Sequence, residues 1–355
     1  MKILHFAVEN FARVPARLVE AERELGHESL LITLYPSRQR FRDEGVCLNA
    51  PFVSGAFSGW MKHALRRGVQ SMSYKRRSAA DGPPVWRPRN RIEKACFDIR
   101  DVLWEPRVRK MLDSIDARQF DVLVLEGGSG FLRSGKVVRE LKQNGMPVAV
   151  LYCGSDLRTR GLIPSIDEIA DHRFTVEFDH TLLDPRLHFL YFPFRPPDLL
   201  EPPPKPDSPV RIGHSPTNRS VKGTAEILDQ LERLKSTHPV EIVLIENLPY
   251  PQAMRLKQSC HLFVDTIGEL GYGISGLEAL AIGIPTACQI LPDYEAVLGD
   301  HPFINVNEGT VAERLIPYVE SPDLRKTQGE KGRAWVQRNH DPISVVREMH
   351  RVMGL

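Results

Sequence analysis

Short, almost uninterrupted apolar runs recur along this chain, and between them lie stretches with the period of a helix. The runs are "KILHFAV" (2–8), "ESLLITL" (28–34), "FDVLVLEGG" (120–128), "MPVAVLYCG" (146–154), "PVRIGHS" (209–215), "PVEIVLI" (239–245) and "HLFVDTI" (261–267). A strand that is apolar on both faces needs cover on both faces, and helices placed between such strands supply it as crossovers. The pattern therefore predicts an α/β fold with parallel, doubly wound sheets. Helices are expected over 13–25, stopped by Gly26, over 132–143, ended by Gly145, and over 222–235 and 252–259.

The unit occurs in an early and a late block, so two Rossmann-like domains are expected. The 355 residues supply enough chain for a core in each. Between the blocks, "PFRPPDLLEPPPKPDSP" (193–209) has eight prolines in seventeen positions. Proline has no amide hydrogen and fixes φ, so this segment reads as a semi-rigid linker. The expected division is an amino-terminal domain over 1–192, the linker, a carboxyl-terminal domain over 210–340 and a terminal helix over 341–355. From 321 onward the chain is helical in period and mostly polar, suited to packing on the outside of one or both domains.

Composition narrows the functional classes. Hydrophobic residues make up 42% and charged residues 26%, as in a soluble globular protein, and the net charge of +2 implies no global polyelectrolyte role. The start, "MKILHFAV", runs into Glu9 and Arg13 without a secretory apolar stretch. Five scattered cysteines, with no CxxC pair, fit a reducing compartment, and no metal-ligand spacing is present. The expected location is cytoplasmic, and no metal or cofactor is expected.

Local charge is another matter. From Lys62 to Arg91 there are nine Lys or Arg and one acid, Asp81, interleaved with Tyr74 and Trp86 and preceded by Trp60. Such a stretch suits an anionic membrane surface, with the tryptophans at the interface; a solvated excursion of the first domain accounts for it equally well. Nucleic acid is the weaker partner, because no recognition helix or stacking motif accompanies the charge.

In doubly wound folds ligands bind beyond the carboxyl ends of the strands. "VENFARVP" (8–15), after the first strand, lacks G-x-G-x-x-G, and "EGGSGFLRSG" (126–135) has Arg133 where the third glycine would fall. A nicotinamide site is thereby disfavoured. "YCGSDLRTR" (152–160) sets Asp156 beside Arg158 and Arg160; it reads as a polar site at a cleft mouth or as a cap with solvated arginines. "GHSPTNRSVKGT" (213–224) leads into a helix with Ser215, Asn218, Arg219 and Lys222, a set suited to phosphate at a helix start.

The last signal is "GELGYGISGLEALAIGIPTACQ" (268–289), which has one charge, Glu278, after Glu269. After Glu269, Gly271, Gly273, Gly276, Gly283 and Pro285 break its apolar run. It reads as a glycine turn, a short helix bearing Glu278, a turn and a strand, not as a membrane span.

Together, "GHSPTNRSVKGT" and "GYGISGLEALAIGIPTA" resemble the carboxyl-terminal half of the GT-B glycosyltransferases, in particular the large retaining group that uses nucleotide-sugar donors. "GHESLLIT" and "YCGSDLR" resemble its amino-terminal half. The resemblance implies two Rossmann-like domains facing a cleft, with the acceptor bound by the first and the donor by the second. It implies that Glu278 receives the ribose hydroxyls, and that Gly271, Gly273, Ser275 and Gly276, with Ser215 and Asn218, lie along the donor. Arg219, Lys222 and Asp156 are the expected catalytic residues, the first two stabilising the departing diphosphate. The implied reaction is sugar transfer with retention, in cell-surface polysaccharide or glycolipid assembly; no metal is expected because the anion site is built from Arg, Lys and helix amides, and the basic stretch 62–91 points to an inner membrane face presenting a lipid-linked acceptor. Two positions depart from the pattern: Leu270 stands where a second glutamate is usual, and Cys153 where a histidine is common. A nucleotide-sugar epimerase of the same fold and a catalytically silent nucleotide-binding protein remain alternatives.

Overall fold

The computed structural model describes residues 1–36, 45–50, 82–196, 208–268 and 271–355. Chain contacts divide it into two compact units, one of Met1–Pro193 with Pro342–Leu355 and one of Phe194–Asp341.

The first unit is built on a sheet in the order β3-β2-β1-β4-β5-β6-β7. Its strands are β1 (Lys2–Ala7), β2 (Glu28–Thr33), β3 (Val46–Cys47), β4 (Val122–Glu126), β5 (Val148–Tyr152), β6 (His172–Thr175) and β7 (His188–Phe189). Every pairing is parallel. Side chains alternate across the sheet, as the two-residue period requires. Leu4, Phe6, Leu123, Leu125, Val148 and Val150 face one core, which is closed by Trp104, Val108 and Met111 of the helix Arg91–Ser114 and by Val137, Val138 and Leu141 of the helix Lys136–Gln143. Ile3, Val122, Val124, Ala149 and Leu151 face the other, where Val14, Leu18 and Ala21 of the helix Val14–Glu24 meet Val345, Val346 and Met349 of the helix Pro342–Met353.

The second unit holds β8 (Val210–His214), β9 (Val240–Leu244), β10 (Leu262–Thr266), β11 (Thr286–Cys288) and β12 (Ile304–Asn305), in the order β12-β11-β10-β8-β9. All of these pairings are parallel too. One face packs on the helices Thr224–Lys235 and Val311–Glu320 through Ile227, Leu231, Leu315 and Val319. The other meets the helices Tyr250–Gln258 and Ile274–Ile282. Counted along this unit, the strand order is 2-1-3-4-5. The connection direction therefore reverses between β8 and β10, and a ligand crevice belongs beyond the ends of those two strands.

Both sheets bear out the predicted doubly wound α/β class. Of the basic run, positions 62–81, together with Trp60 and Tyr74, lie outside the described residues, as do 197–207 of the proline-rich segment and Glu269 and Leu270.

Candidate functional site

At the switch point of the second unit, two strand ends and one helix start come together. The loop after β8 carries Ser215 to Gly223, and the chain after β10 returns through Gly271 and Gly273 to start the helix Ile274–Ile282. Gly271 has φ +73, and a Cβ there would stand 2.7 Å from the Tyr294 ring, so the turn needs glycine for conformation and for space. Tyr272 braces the same turn, stacked on Phe303 at 4.6 Å with its ring edge-on to Trp335.

Two cation–carboxylate pairs bracket the first turn of this helix. Lys222 Nζ donates to Asp265 Oδ1 at 2.7 Å, and the other oxygen of Asp265 accepts the Gly273 amide at 2.6 Å. Asp265 is fully buried at the end of β10. Burial alone would raise its carboxyl, but Lys222, the Gly273 amide and the charge of Lys257 hold it below the ordinary aspartate range. Gly276 sits directly on it, where a Cβ would come within 2.9 Å of Oδ2. In the second pair, Lys257 Nζ donates to Glu278 Oε2 at 2.5 Å and to Ser275 Oγ at 2.8 Å. Glu278 Oε1 accepts from the Tyr250 hydroxyl at 3.0 Å.

These contacts change the picture drawn from sequence. Arg219 and Lys222 are not bare cations: Arg219, 59% exposed, binds Glu246 through Nε at 2.8 Å and Nη2 at 2.5 Å, and Lys222 is held by Asp265. Glu278 is not a solitary carboxylate, since Lys257 and Tyr250 already engage it. Asn218 is a turn former, its Oδ1 accepting from the Ser220 amide at 3.1 Å and hydroxyl at 2.8 Å. Ser215 is half-buried in the same loop. His214, just before it, is buried and neutral, with its pKa lowered by burial; Nδ1–H donates to the Val264 carbonyl and Nε2 accepts from the Thr224 hydroxyl.

Sequence reading overlooked Asp265 and Lys257. Asp265 had a signal, a carboxylate near the end of an otherwise apolar run. Lys257 had none, because one lysine on a polar helix does not announce that it points inward.

In the first unit, Asp156 is a loop-forming carboxylate. It accepts the amides of Cys153, Gly154 and Leu157, each at 2.8 Å. The expected flanking arginines go elsewhere. Arg158 binds Asp179 at 2.6 Å and Glu177 at 2.6 Å, while Arg160 donates to Ser129 Oγ at 2.8 Å and the Gly127 carbonyl at 2.5 Å. Burial raises Glu177 to about 7, against the pull of Arg158. His180, lowered to about 4 chiefly by burial, holds the Gly154 carbonyl through Nε2 at 3.0 Å. Cys153 stays a thiol, pushed up by burial and by the carboxylates of Asp156, Glu126 and Glu177. Trp86, expected at a membrane interface, packs edge-on to Phe97 at 5.1 Å under the Arg133 guanidinium.

Two parallel, doubly wound units of this kind make up the GT-B glycosyltransferase fold, and the chain has that fold. It is similar to the sucrose-phosphate synthase of Thermosynechococcus elongatus, with a TM-score of 0.59 at 12% identity over 99% of this chain and 98% of that one. It is similar also to HepE of Anabaena, solved in complex with UDP, with a TM-score of 0.55 at 12% identity over the whole of both chains. A third likeness is to a variant of the O-GlcNAc transferase of Thermobaculum terrenum, with a TM-score of 0.54 at 14% identity over 99% of this chain and 66% of that one. No protein-family model matches the sequence, and no curated protein does so either.

Proposed function

We propose that the protein is a glycosyltransferase that takes a sugar from a nucleotide-sugar donor bound by the second unit and passes it to an acceptor hydroxyl bound by the first. The observation that carries this reading is the pair of lysine–carboxylate contacts on either side of the first turn of the helix Ile274–Ile282, at the switch point where a doubly wound sheet takes its ligand. The HepE structures with UDP and with UDP-glucose support it, because they show this fold holding such a donor.

Asp265 engages Lys222 through one hydrogen bond, and an ammonium has three hydrogens to give. Lys222 therefore bridges Asp265 and a phosphate oxygen without leaving its partner, and Arg219 acts in the same way from Glu246. With the amides that open the helix, these donors meet the charge that develops on the leaving diphosphate; preorganised donors of this kind are worth about 10² to 10³ in rate apiece. Glu278 keeps free lone pairs on both oxygens for ribose hydroxyls, since a carboxylate accepts at about four sites. We propose transfer with retention and without a metal. The sequence run 62–91, +8 in net charge, would bring the enzyme to an anionic membrane that presents a lipid-linked acceptor. No helix among the described residues is long and apolar enough to cross a membrane.

The test is incubation with a panel of sugar nucleotides, following nucleoside diphosphate release with and without added vesicles, and with EDTA. Acceptor-dependent release that survives EDTA supports the reading. An isomerised sugar nucleotide formed without acceptor makes the protein an epimerase. Loss of turnover in EDTA, restored by magnesium or manganese, overturns metal independence. Equal binding to neutral and anionic vesicles, or no effect of replacing Arg66, Arg67, Arg76 and Arg77 with Ser, removes the membrane role.

A further inference from the structure

The first unit has its own switch point, between β1 and β4, and a pocket of about 370 Å³ lies there. Ala7, Val8, Phe11 and Pro15 give it an apolar side, while Glu126, Asp156 and Arg160 contribute polar groups. Asp156 is held by three backbone amides, and Arg160 by Ser129 and the Gly127 and Gly161 carbonyls.

Glu126 is different. It is 4% exposed, its Oε1 accepts from His5 Nδ1 at 2.9 Å, and its Oε2 has no hydrogen-bond partner. Buried polar atoms are nearly always paired, so an orphaned carboxylate oxygen with almost no accessible surface, on a residue that lines this pocket, calls for an explanation. Nor is Glu126 free to turn away. His5 is gripped from its other side by Glu22 at 2.9 Å, and Glu22 is fixed by the Ser29 hydroxyl at 2.6 Å and His350 at 3.2 Å. This buried chain of four side chains and a hydroxyl ends in one unmatched acceptor atom.

We infer that Glu126 Oε2 receives the hydroxyl of an acceptor whose apolar body lies against Ala7, Val8, Phe11 and Pro15. The inference rests on the transferase reading for the word acceptor, but the pocket and its unmatched oxygen stand apart from it. Burial works to lower His5, yet Glu22 and Glu126 raise it to about 10, so at neutral pH both ring nitrogens carry hydrogen; burial raises Glu126 in turn, against the pull of His5. His5 thus commits Oε1 of Glu126 to itself and leaves Oε2 for the ligand. Glu126 is a positioning and selectivity residue in this role.

The test compares two probes with the same body, 4-nitrobenzyl alcohol and 4-nitrotoluene, titrated into the intact protein by ligand-observed NMR. The wild type should bind the alcohol about tenfold more tightly, the discrimination expected of one charge-assisted hydrogen bond. In Glu126→Gln, His5 retains the side-chain oxygen and turns the amide –NH₂ to the pocket, so the preference should fall below about threefold. Phe11→Ala should weaken both probes equally. Equal affinity of the two probes for the wild type, no saturable binding of the alcohol, or an unchanged preference in a folded Glu126→Gln protein overturns the inference. The wild-type comparison needs no variant, so it stands even if Glu126→Gln does not fold. A parallel titration with UDP-glucose and other sugar nucleotides separates the two claims: failed nucleotide binding with a retained alcohol preference removes the donor site alone, and the reverse result removes this pocket alone.

Discussion

Lys257 and Glu278 meet at 2.5 Å, the lysine reaching in from the helix Tyr250–Gln258 and the glutamate from the helix Ile274–Ile282. Both are buried, and Lys257 also lies 5.0 Å over the Phe263 ring. The contact shows why the one charge in a glycine-bounded apolar helix is tolerated: its counter-charge comes from a neighbouring helix. It also ties the carboxylate proposed to hold ribose to the Ser275 hydroxyl in the first turn.

Removing one partner of this pair should cost far more than removing both. Lys257→Met leaves Glu278 buried with only Tyr250, and about 3 to 5 kcal/mol of stability should be lost, whereas Lys257→Met with Glu278→Leu should lose clearly less than the sum of the single changes. Urea denaturation of the four proteins gives the coupling. Additive losses would mean that the pair is incidental.

Arg219→Ala and Lys222→Ala should part company. Arg219 is exposed, so its removal should leave stability nearly unchanged while weakening nucleoside diphosphate binding. Lys222→Ala strips buried Asp265 of its cation and should both destabilise the protein and weaken the diphosphate more than the nucleoside. Calorimetry with each ligand, beside thermal melting, checks both. Equal losses for nucleoside and diphosphate would take the phosphates away from these residues.

Gly276→Ala should destabilise by about 1 to 3 kcal/mol, because the added methyl would meet Asp265 Oδ2 at 2.9 Å, and should weaken nucleotide binding with it. Gly268→Ala, where the nearest atom is 3.4 Å away, is the control. Similar melting temperatures for the two variants would show that the helix start has room to spare.

The buried chain in the first unit makes stability depend on pH with a definite sign. His5 is raised from 6.5 to about 10, so its contribution is complete below pH 6.5 and is lost as pH climbs through 10. Glu22 is lowered from 4.5 to about 2, so its contribution is complete above pH 4.5 and is lost as pH falls through 2. Burial raises Glu126, which works the other way and favours the fold at low pH. Stability should therefore decline from pH 6.5 toward 10 in the wild type and less so in His5→Gln. Parallel curves of melting temperature against pH for the two proteins would contradict this.

Much of the architecture was legible because buried parallel strands are long apolar runs, and β1, β2, β4, β5, β8, β9, β10 and β11 all fall where such runs stand. The two-residue strands β3, β7 and β12 and the short, polar-starting β6 are too brief for a period to show. The helix Arg91–Ser114 was hidden for another reason: besides its buried Trp104 and Val108 it exposes Ile92, Ile99, Val102 and Leu103, so its apolar residues mark no single face, and Pro106 interrupts it. At the site, Arg219, Lys222 and Glu278 stood out as charges in unusual company. Their partners Glu246, Asp265 and Lys257 come from the loop after β9, from β10 and from the helix Tyr250–Gln258, and local sequence has no record of which distant charge will arrive.

A nucleotide-sugar site in the second unit should show itself in thermal denaturation with a panel of nucleosides, nucleoside diphosphates and sugar nucleotides. A ligand that binds only the folded state raises stability by RT ln(1 + [L]/Kd), about 2.7 kcal/mol at a hundredfold excess over Kd. At least one nucleoside diphosphate and its sugar nucleotide should raise the melting temperature, the matching nucleoside should do so less, and Lys222→Ala should abolish the difference. A panel that leaves the wild-type melting temperature unmoved would contradict that assignment.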